Sequence, residues 1–161
     1  MIFCKVIPSP VGSLTLAVKN DHLVGLWLEG QQHFGKGFSE LPAGDHPVLE
    51  QTAQWLDAYF RGDHPSPGLL PLAPEGTDFQ KKVWAQLLQI PYGETTTYGA
   101  IAKALGCKSV QAVGGTVGRN PISIIIPCHR VVGTSGSLTG YAGGLNNKTF
   151  LLELENRSNS V

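Results

Sequence analysis

An α+β protein of two small units is what this chain predicts, and three observations carry the prediction. An alternating apolar hairpin opens the chain, an amphipathic helical stripe follows, and a proline-rich stretch then sets both apart from a second, mostly helical half.

Leu14-Thr15-Leu16-Ala17-Val18 and Leu23-Val24-Gly25-Leu26-Trp27-Leu28 flank the polar pair Asn20-Asp21, the pattern of two strands joined by a turn. Val48, Leu49, Thr52, Trp55, Leu56, Tyr59 and Phe60 then recur at helical spacing, and Gly62 ends the stripe. This helix is expected to cover one face of an antiparallel sheet. His22, His33, His46 and His64 fall in turns or loops without metal-ligand spacing and read as solvated surface residues. Between His64 and Gly76, Pro65, Pro67, Pro71 and Pro74 mark a linker, which divides the chain into residues 1–74 and 75–161.

In the second half Thr77 and Gln80 have capping-box spacing, with Phe79, Val83, Trp84, Leu87 and Leu88 as the apolar face of the helix they open. Pro91-Tyr92-Gly93 breaks it. Thr97 is placed to cap a short helix reaching Ala104, Leu105-Gly106-Cys107 to turn the chain, and Ser109 to cap a second helix towards Gly118. Two short helices about a glycine turn suggest a helix-turn-helix. Ala112, Val113, Gly114, Gly115, Thr116 and Gly118 make the second one slim, suited to close approach by another protein helix or by nucleic acid.

Composition narrows the class. The chain has 161 residues, 42% of them hydrophobic, and a formal net charge of zero. Up to Pro74 four Lys or Arg stand against seven Asp or Glu, a net of −3; from Glu75 onward eight stand against five, a net of +3. The basic character lies in the second half, enough to permit a nucleic-acid face with modest salt dependence. Met1–Pro8 lacks the basic and apolar regions of a signal peptide, and no segment has the length of a membrane span, so a soluble cytoplasmic protein is expected. Cys4, Cys107 and Cys128 are odd in number and widely spaced, which suggests neither a disulfide framework nor a zinc site.

Ile126-Pro127-Cys128-His129-Arg130-Val131 sets a thiol, an imidazole and a guanidinium side by side. Ser123-Ile124-Ile125-Ile126 reads as a short buried strand that Pro127 ends, presenting Cys128 stiffly. Free cysteine is often simply buried, while a reactive thiol needs a neighbouring base or cation to favour its thiolate. Spacing alone leaves both readings open.

From about Thr77 to Glu155 the chain resembles the O6-alkylguanine-DNA alkyltransferases, the methylated-DNA–protein-cysteine methyltransferases. The resemblance is carried by Pro127-Cys128-His129-Arg130-Val131-Val132, Tyr98, Ala112-Val113-Gly114-Gly115, Asn120-Pro121, Gly140-Tyr141-Ala142-Gly143-Gly144 and Leu151-Leu152-Glu153-Leu154-Glu155. Before Thr77 it is loose, limited to Ser9-Pro10-Val11-Gly12 and the sheet-plus-helix layout, for which it implies an RNase H-like unit. The resemblance implies repair of O6-alkylguanine, with O4-alkylthymine a further candidate, in double-stranded DNA. The second helix would enter the minor groove and the target base would be flipped out.

It further implies that Cys128 takes the alkyl group, that His129 removes the thiol proton through a bound water, that Glu155 orients His129 and that Asn120 holds the loop. Tyr98 would hydrogen-bond N3 of the base. The carbonyls of Cys128 and Val131 would accept from the exocyclic amine, Ala142 N–H would face O6, Tyr141 would line the pocket, and Ser123 would lie near its entrance. Gln111 stands where many relatives carry an intercalating arginine, so weaker DNA affinity or slower flipping is expected, compensated by Lys108 or Arg119, while Ala112 and Gly115 provide the slim contact surface. The thioether product has a poor leaving group, so one turnover per molecule by a monomer, with no cofactor and no metal, is the expectation. A thiol hydrolase, which would turn over, and a non-catalytic damage-binding module, which would not need Cys128, are the alternatives.

Overall fold

The computed structural model describes residues 1–134, 136 and 141–159, the last two as helix backbone. Gly140 of the Gly-Tyr-Ala-Gly-Gly stretch, with Ser160 and Val161, lies outside the described residues.

Three strands, β1 (Ile2–Ile7), β2 (Leu14–Lys19) and β3 (His22–Leu28), form an antiparallel sheet in that order. Asn20 and Asp21 both take positive φ, 52° and 61°, the paired left-handed geometry of a tight hairpin turn whose twist matches its strands. β1, which the sequence reading passed over, pairs with β2 along its whole length from Ile2↔Lys19 to Ile7↔Leu14. Its side chains are mostly half-buried, which leaves little apolar alternation to detect.

Leu14, Leu16, Val18, Leu23, Leu26 and Leu28 join the main core, which α1 (Pro47–Phe60) shares through Leu49, Leu56 and Tyr59. On the opposite face Cys4, Ala17, Val24 and Trp27 pack under Phe38 and Leu41. Gly25 is required there, since a Cβ at that position would come within 2.2 Å of the Trp27 ring. His46 caps α1, its Nδ1 accepting from Val48 N at 3.0 Å while Nε2 meets Asp21 at 2.9 Å. His64 stacks on Tyr92 with ring centroids 3.8 Å apart. His46 is thus a structural cap, a correction to the solvated reading, while His64 stays exposed at the surface as expected.

The edge of β3 away from β2 is covered rather than free. Leu23 exchanges hydrogen bonds with Pro71 O and Ala73 N at 2.8 and 2.9 Å, so the proline-rich segment, with a 3-10 turn at Pro67–Leu69, is strapped to the sheet and does not behave as a loose linker. Further along the same edge, Leu26 N donates to Pro121 O at 2.8 Å and Leu26 O accepts from Ser123 N at 3.0 Å. The loop ahead of Cys128 therefore docks directly on the N-terminal sheet.

α2 (Asp78–Leu87) starts from the full Thr77/Gln80 capping box and buries Val83, Trp84 and Leu87. Phe79, expected on that apolar face, remains 36% exposed. α3 (Tyr98–Ala104) and α4 (Val110–Gly118) are capped by Thr97 and Ser109, and Gly106 at φ 66° makes the turn between them. Short parallel strands β4 (Thr96–Thr97) and β5 (Val131–Val132) tie α3 to the segment after Cys128. α5 (Leu145–Asn159) ends the described chain, with residues 156–159 in its last turn.

The buried stretch Ser123–Ile126 is not a strand. Ile125 N donates to Ser123 O at 2.8 Å, closing a tight three-residue turn around Ile124, whose φ is 72°. A β-branched residue in this region is strained, and its surroundings hold it there. Asn120 Nδ2 donates to Ile122 O at 3.3 Å and Ile126 O at 2.8 Å, while its Oδ1 accepts from Ile122 N at 3.0 Å. The isoleucines are buried as their sequence suggests, but their backbone partners are local turn bonds, Ile126 N to Ile122 O at 3.1 Å among them, and the amide side chain of Asn120 in place of a continuous ladder.

Candidate active site

Cys128 opens a 3-10 turn over Cys128–Arg130, held by Cys128 N to Ile126 O at 2.8 Å across Pro127. This turn sorts three neighbouring side chains into different surroundings. Cys128 lines the floor of a cleft of about 580 Å³, together with Tyr98, Gln111, Gly114, Gly115, Arg119, Tyr141 and Ala142. His129 and Arg130 point the other way into the protein, where both meet Glu155 of α5.

Glu155 is buried and accepts on both oxygens. Oε2 receives His129 Nε2 at 2.6 Å, Tyr59 Oη at 2.6 Å and Arg130 Nη2 at 3.1 Å; Oε1 receives Arg130 Nε at 2.7 Å and Gly93 N at 3.3 Å. Burial pushes the carboxyl pKa up, but the hydrogen bonds from His129 and Arg130 outweigh it and hold the group at about 2. An ionised acceptor at Nε2 places the imidazole proton on that nitrogen. Nδ1, buried and without a hydrogen-bond partner, is then the basic nitrogen of His129.

Burial lowers the pKa of His129, with Arg130 and Lys148 adding to the effect against the pull of Glu155. Burial also raises the Cys128 thiol to about 11, against the lowering action of Asn120, Lys148 and Tyr141. At neutral pH the resting pair is therefore a neutral thiol and a neutral imidazole. Deprotonation of the sulfur requires a base at hand when the reaction occurs.

Sequence reasoning missed Lys148. It is fully buried, and Nζ donates to Val131 O at 2.6 Å. Lys148, Leu151 and Glu155 recur at helical spacing on α5 and share its inward side, the pattern that marks Lys148 as an interior cation. Contributions from the N-terminal unit were also missed. Gln31 Oε1 accepts from Leu28 N at 2.7 Å and Ser123 Oγ at 3.2 Å, Gln32 N donates to Ala142 O at 3.0 Å, and Gln32 and His33 line the cleft.

The remaining candidates divide by position. Ser123 and Val131 are buried behind the cleft and do not line it, so the entrance position expected for Ser123 is corrected: it supports the loop from beneath. Asn120 braces the same loop. Ala112 and Lys108 are exposed beside the cleft without lining it. Arg119 lies at the rim, its Nη1 donating to Gly115 O at 3.1 Å. The Tyr141 hydroxyl is buried without a hydrogen-bond partner, next to Cys128 and Ser123. Among the described residues no group of three or more His, Cys, Asp or Glu is arranged to hold a metal, and no helix is long and apolar enough to cross a membrane.

A cysteine at the floor of an open cleft, backed by a buried imidazole and carboxylate and walled by a slim helix of a helix-turn-helix, defines a thiol-dependent protein with a nucleic-acid-binding architecture. The chain belongs to the 6-O-methylguanine DNA methyltransferase family: the model of its ribonuclease-like domain matches residues 2–74, and that of its DNA-binding domain residues 78–157. It is 47% identical over 159 residues to the methylated-DNA–protein-cysteine methyltransferase of Methanosarcina barkeri, covering 96% of this chain and 97% of that one. With the Mycobacterium leprae protein of the same name it shares 45% identity over 160 residues, covering 96% and 93% of the two chains. The crystal structure of Mycobacterium tuberculosis OGT in complex with DNA superposes with a TM-score of 0.84 at 43% identity, covering 97% of this chain and 94% of that one.

Proposed function

We propose that this protein repairs DNA by moving the alkyl group of an O6-alkylguanine irreversibly onto Cys128, once per molecule. The observation that carries the proposal is that one short turn sets Cys128 at the floor of the cleft and the next residue, His129, on the buried carboxylate of Glu155. The slim α4 enters the minor groove, and the damaged base, flipped from the stack, occupies the cleft against Tyr98, Tyr141 and Ala142. O4-alkylthymine is a second substrate of the same geometry.

In the transfer His129 Nδ1 takes the thiol proton through a bridging water, the sulfur forms a bond to the alkyl carbon, and the bond from that carbon to O6 breaks. Tyr98 gives its phenol proton to N3, so that guanine departs neutral; the thiol proton rests on His129, and the count closes when the imidazolium releases a proton to solvent and the tyrosinate takes one up. Glu155 fixes the tautomer of His129 and stabilises its imidazolium. Lys148 adds positive charge near the developing thiolate. The Cys128 carbonyl receives the exocyclic amine, while that of Val131, behind the cleft, is taken by Lys148; the Ala142 N–H lies at O6, and Asn120 and Ser123 keep the loop in place.

Gln111 fills the space left by the flipped base, with Lys108 and Arg119 facing the phosphates. Residues 75–161 carry the chemistry and residues 1–74 support it, in a cytoplasmic monomer that uses no cofactor. Intact mass after incubation with a duplex containing O6-methylguanine tests this reading. A gain of one methylene unit, located on Cys128, saturating at one per chain and lost in Cys128→Ala, is expected. Unchanged mass with the lesion still bound would instead mean a recognition module, and repeated turnover on an ester a thiol hydrolase.

A further inference from the structure

We propose that Tyr59, on α1 of the N-terminal unit, is a positioning residue for the reactive thiol, acting through Glu155 on His129. The inference rests on the reading of Cys128 and His129 given above and extends the working site into the half of the chain otherwise assigned to support.

The phenol of Tyr59 donates to Glu155 Oε2 at 2.6 Å, the same oxygen that receives His129 Nε2 at 2.6 Å. Tyr59 is 1% exposed and Glu155 1% exposed, so neither bond competes with water. The two residues stand 96 positions apart in the sequence. The ring of Tyr59 is itself fixed, stacked on Trp55 at 5.7 Å and edge-on to Phe60 at 5.2 Å and Tyr92 at 6.1 Å. A rigid donor on Oε2 has two effects. It keeps that oxygen in line with Nε2, and it withdraws part of the charge that would otherwise make His129 more basic.

Burial and the neighbouring carboxylate raise the phenol's pKa, so the hydroxyl remains a donor across the working range. The groups acting on His129 are Glu155 and Lys148 from α5 and Arg130 from its own turn, and, beyond Glu155, Tyr59 from α1 and Tyr92 with its stacked partner His64. Of these, Tyr59 alone comes from the N-terminal helix. Its removal leaves the Arg130 and Gly93 contacts to Glu155 intact while altering the oxygen that His129 uses.

Tyr59→Phe keeps the ring and deletes the donor. With Oε2 relieved of it, His129 becomes more basic, and the acid limb of the pH profile for Cys128 reactivity moves to higher pH by about half to one unit. The profile is measured twice on the full chain: as single-turnover transfer from an O6-methylguanine duplex, and as iodoacetamide labelling of Cys128 followed by peptide mass without DNA. Val48→Ala, a core truncation on the same helix, lowers the thermal midpoint but leaves the acid limb in place. Superimposable profiles for Tyr59→Phe and wild type overturn the proposal. The labelling experiment separates it from the transfer reading, because a protein that labels with a shifted limb yet moves no methyl group retains the Tyr59 link and loses the repair function. Should Tyr59→Phe not fold, the wild type carries the test: the Tyr59 hydroxyl proton is expected as a slowly exchanging NMR resonance, and a rapidly exchanging phenol overturns the proposal.

Discussion

Lys148 Nζ lies 2.6 Å from the carbonyl oxygen of Val131, with the whole side chain withdrawn from solvent. A buried ammonium bonded to a backbone carbonyl is an expensive arrangement, since desolvation works against it. Its positive charge acts on Cys128 and pulls the thiol pKa down. Lys148→Met should therefore separate reactivity from stability. The pH at which Cys128 becomes reactive is expected to rise by about one unit, giving roughly tenfold slower transfer near neutral pH, with the urea midpoint unchanged or higher. A pH profile identical to wild type would show that Lys148 serves the Val131 carbonyl alone.

Gln111 stands at the exposed start of α4 and lines the cleft beside Val110. An arginine there would add one cation where phosphates and an orphaned base converge. Gln111→Arg is expected to tighten duplex binding several-fold at low salt and to steepen the dependence of log affinity on log salt by about one. Equal affinity and equal slope, measured by fluorescence anisotropy across a salt series, would mean that this position does not meet DNA.

The parts of the fold legible in the sequence were those written in local chemistry. The Asn20-Asp21 turn, the Thr77/Gln80 box, and the Thr97 and Ser109 caps each depend on residues within a few positions, and each is formed. Burial of Ser123–Ile126 was legible too, but not its conformation, because the partner that replaces a strand ladder is the side chain of Asn120, outside the apolar run. The same limit explains what was missed at the site. Tyr59, Gln31 and Gln32 reach Glu155, Ser123 and Ala142 over long sequence separations that no periodicity records. Arg130 read as a cation beside the thiol, yet its guanidinium serves Glu155 and Ile90 O on the far side of the turn.

Asn120 makes three hydrogen bonds to its own loop, all buried. Asn120→Ala would leave the amide of Ile122 and the carbonyls of Ile122 and Ile126 without these partners, at a cost of about 2–4 kcal/mol. Urea unfolding should show that loss together with slower transfer; a loss below about 1 kcal/mol would mean that the loop holds its shape without the amide.

Ile124 gives a sharper test of backbone strain, by comparing truncations at neighbouring positions. At an ordinary φ, glycine is less stable than alanine by about 0.5–1 kcal/mol. At the Ile124 φ of 72° the order should invert, with Ile124→Gly more stable than Ile124→Ala by about 1 kcal/mol, even though both lose the same buried side chain. Ile125 has no positive φ, so Ile125→Ala should exceed Ile125→Gly. The same order at both positions would mean that the turn relaxes once the isoleucine is gone.

His129 and Glu155 together set how the fold responds to acid. His129 is held neutral by burial, below its ordinary value of 6.5, so the unfolded chain binds its proton first as pH falls; stability is complete above 6.5 and declines below it until the folded form also protonates. Glu155 is depressed from 4.5 to about 2, so its contribution is complete above 4.5 and disappears between there and 2. Both groups act in one direction, and stability should fall on acidification in two stages. The first stage has a slope of at most about 1.4 kcal/mol per pH unit from His129. Urea midpoints at pH 7.5, 6.5 and 5.5 should fall in wild type and flatten in His129→Gln, which keeps a donor for Glu155 but has no proton to bind. A flat wild-type series would mean that His129 binds its proton equally well in the folded and unfolded chain and is not held neutral by burial; a series that rises on acidification would mean that it is charged in the fold and could not be the base that accepts the Cys128 proton.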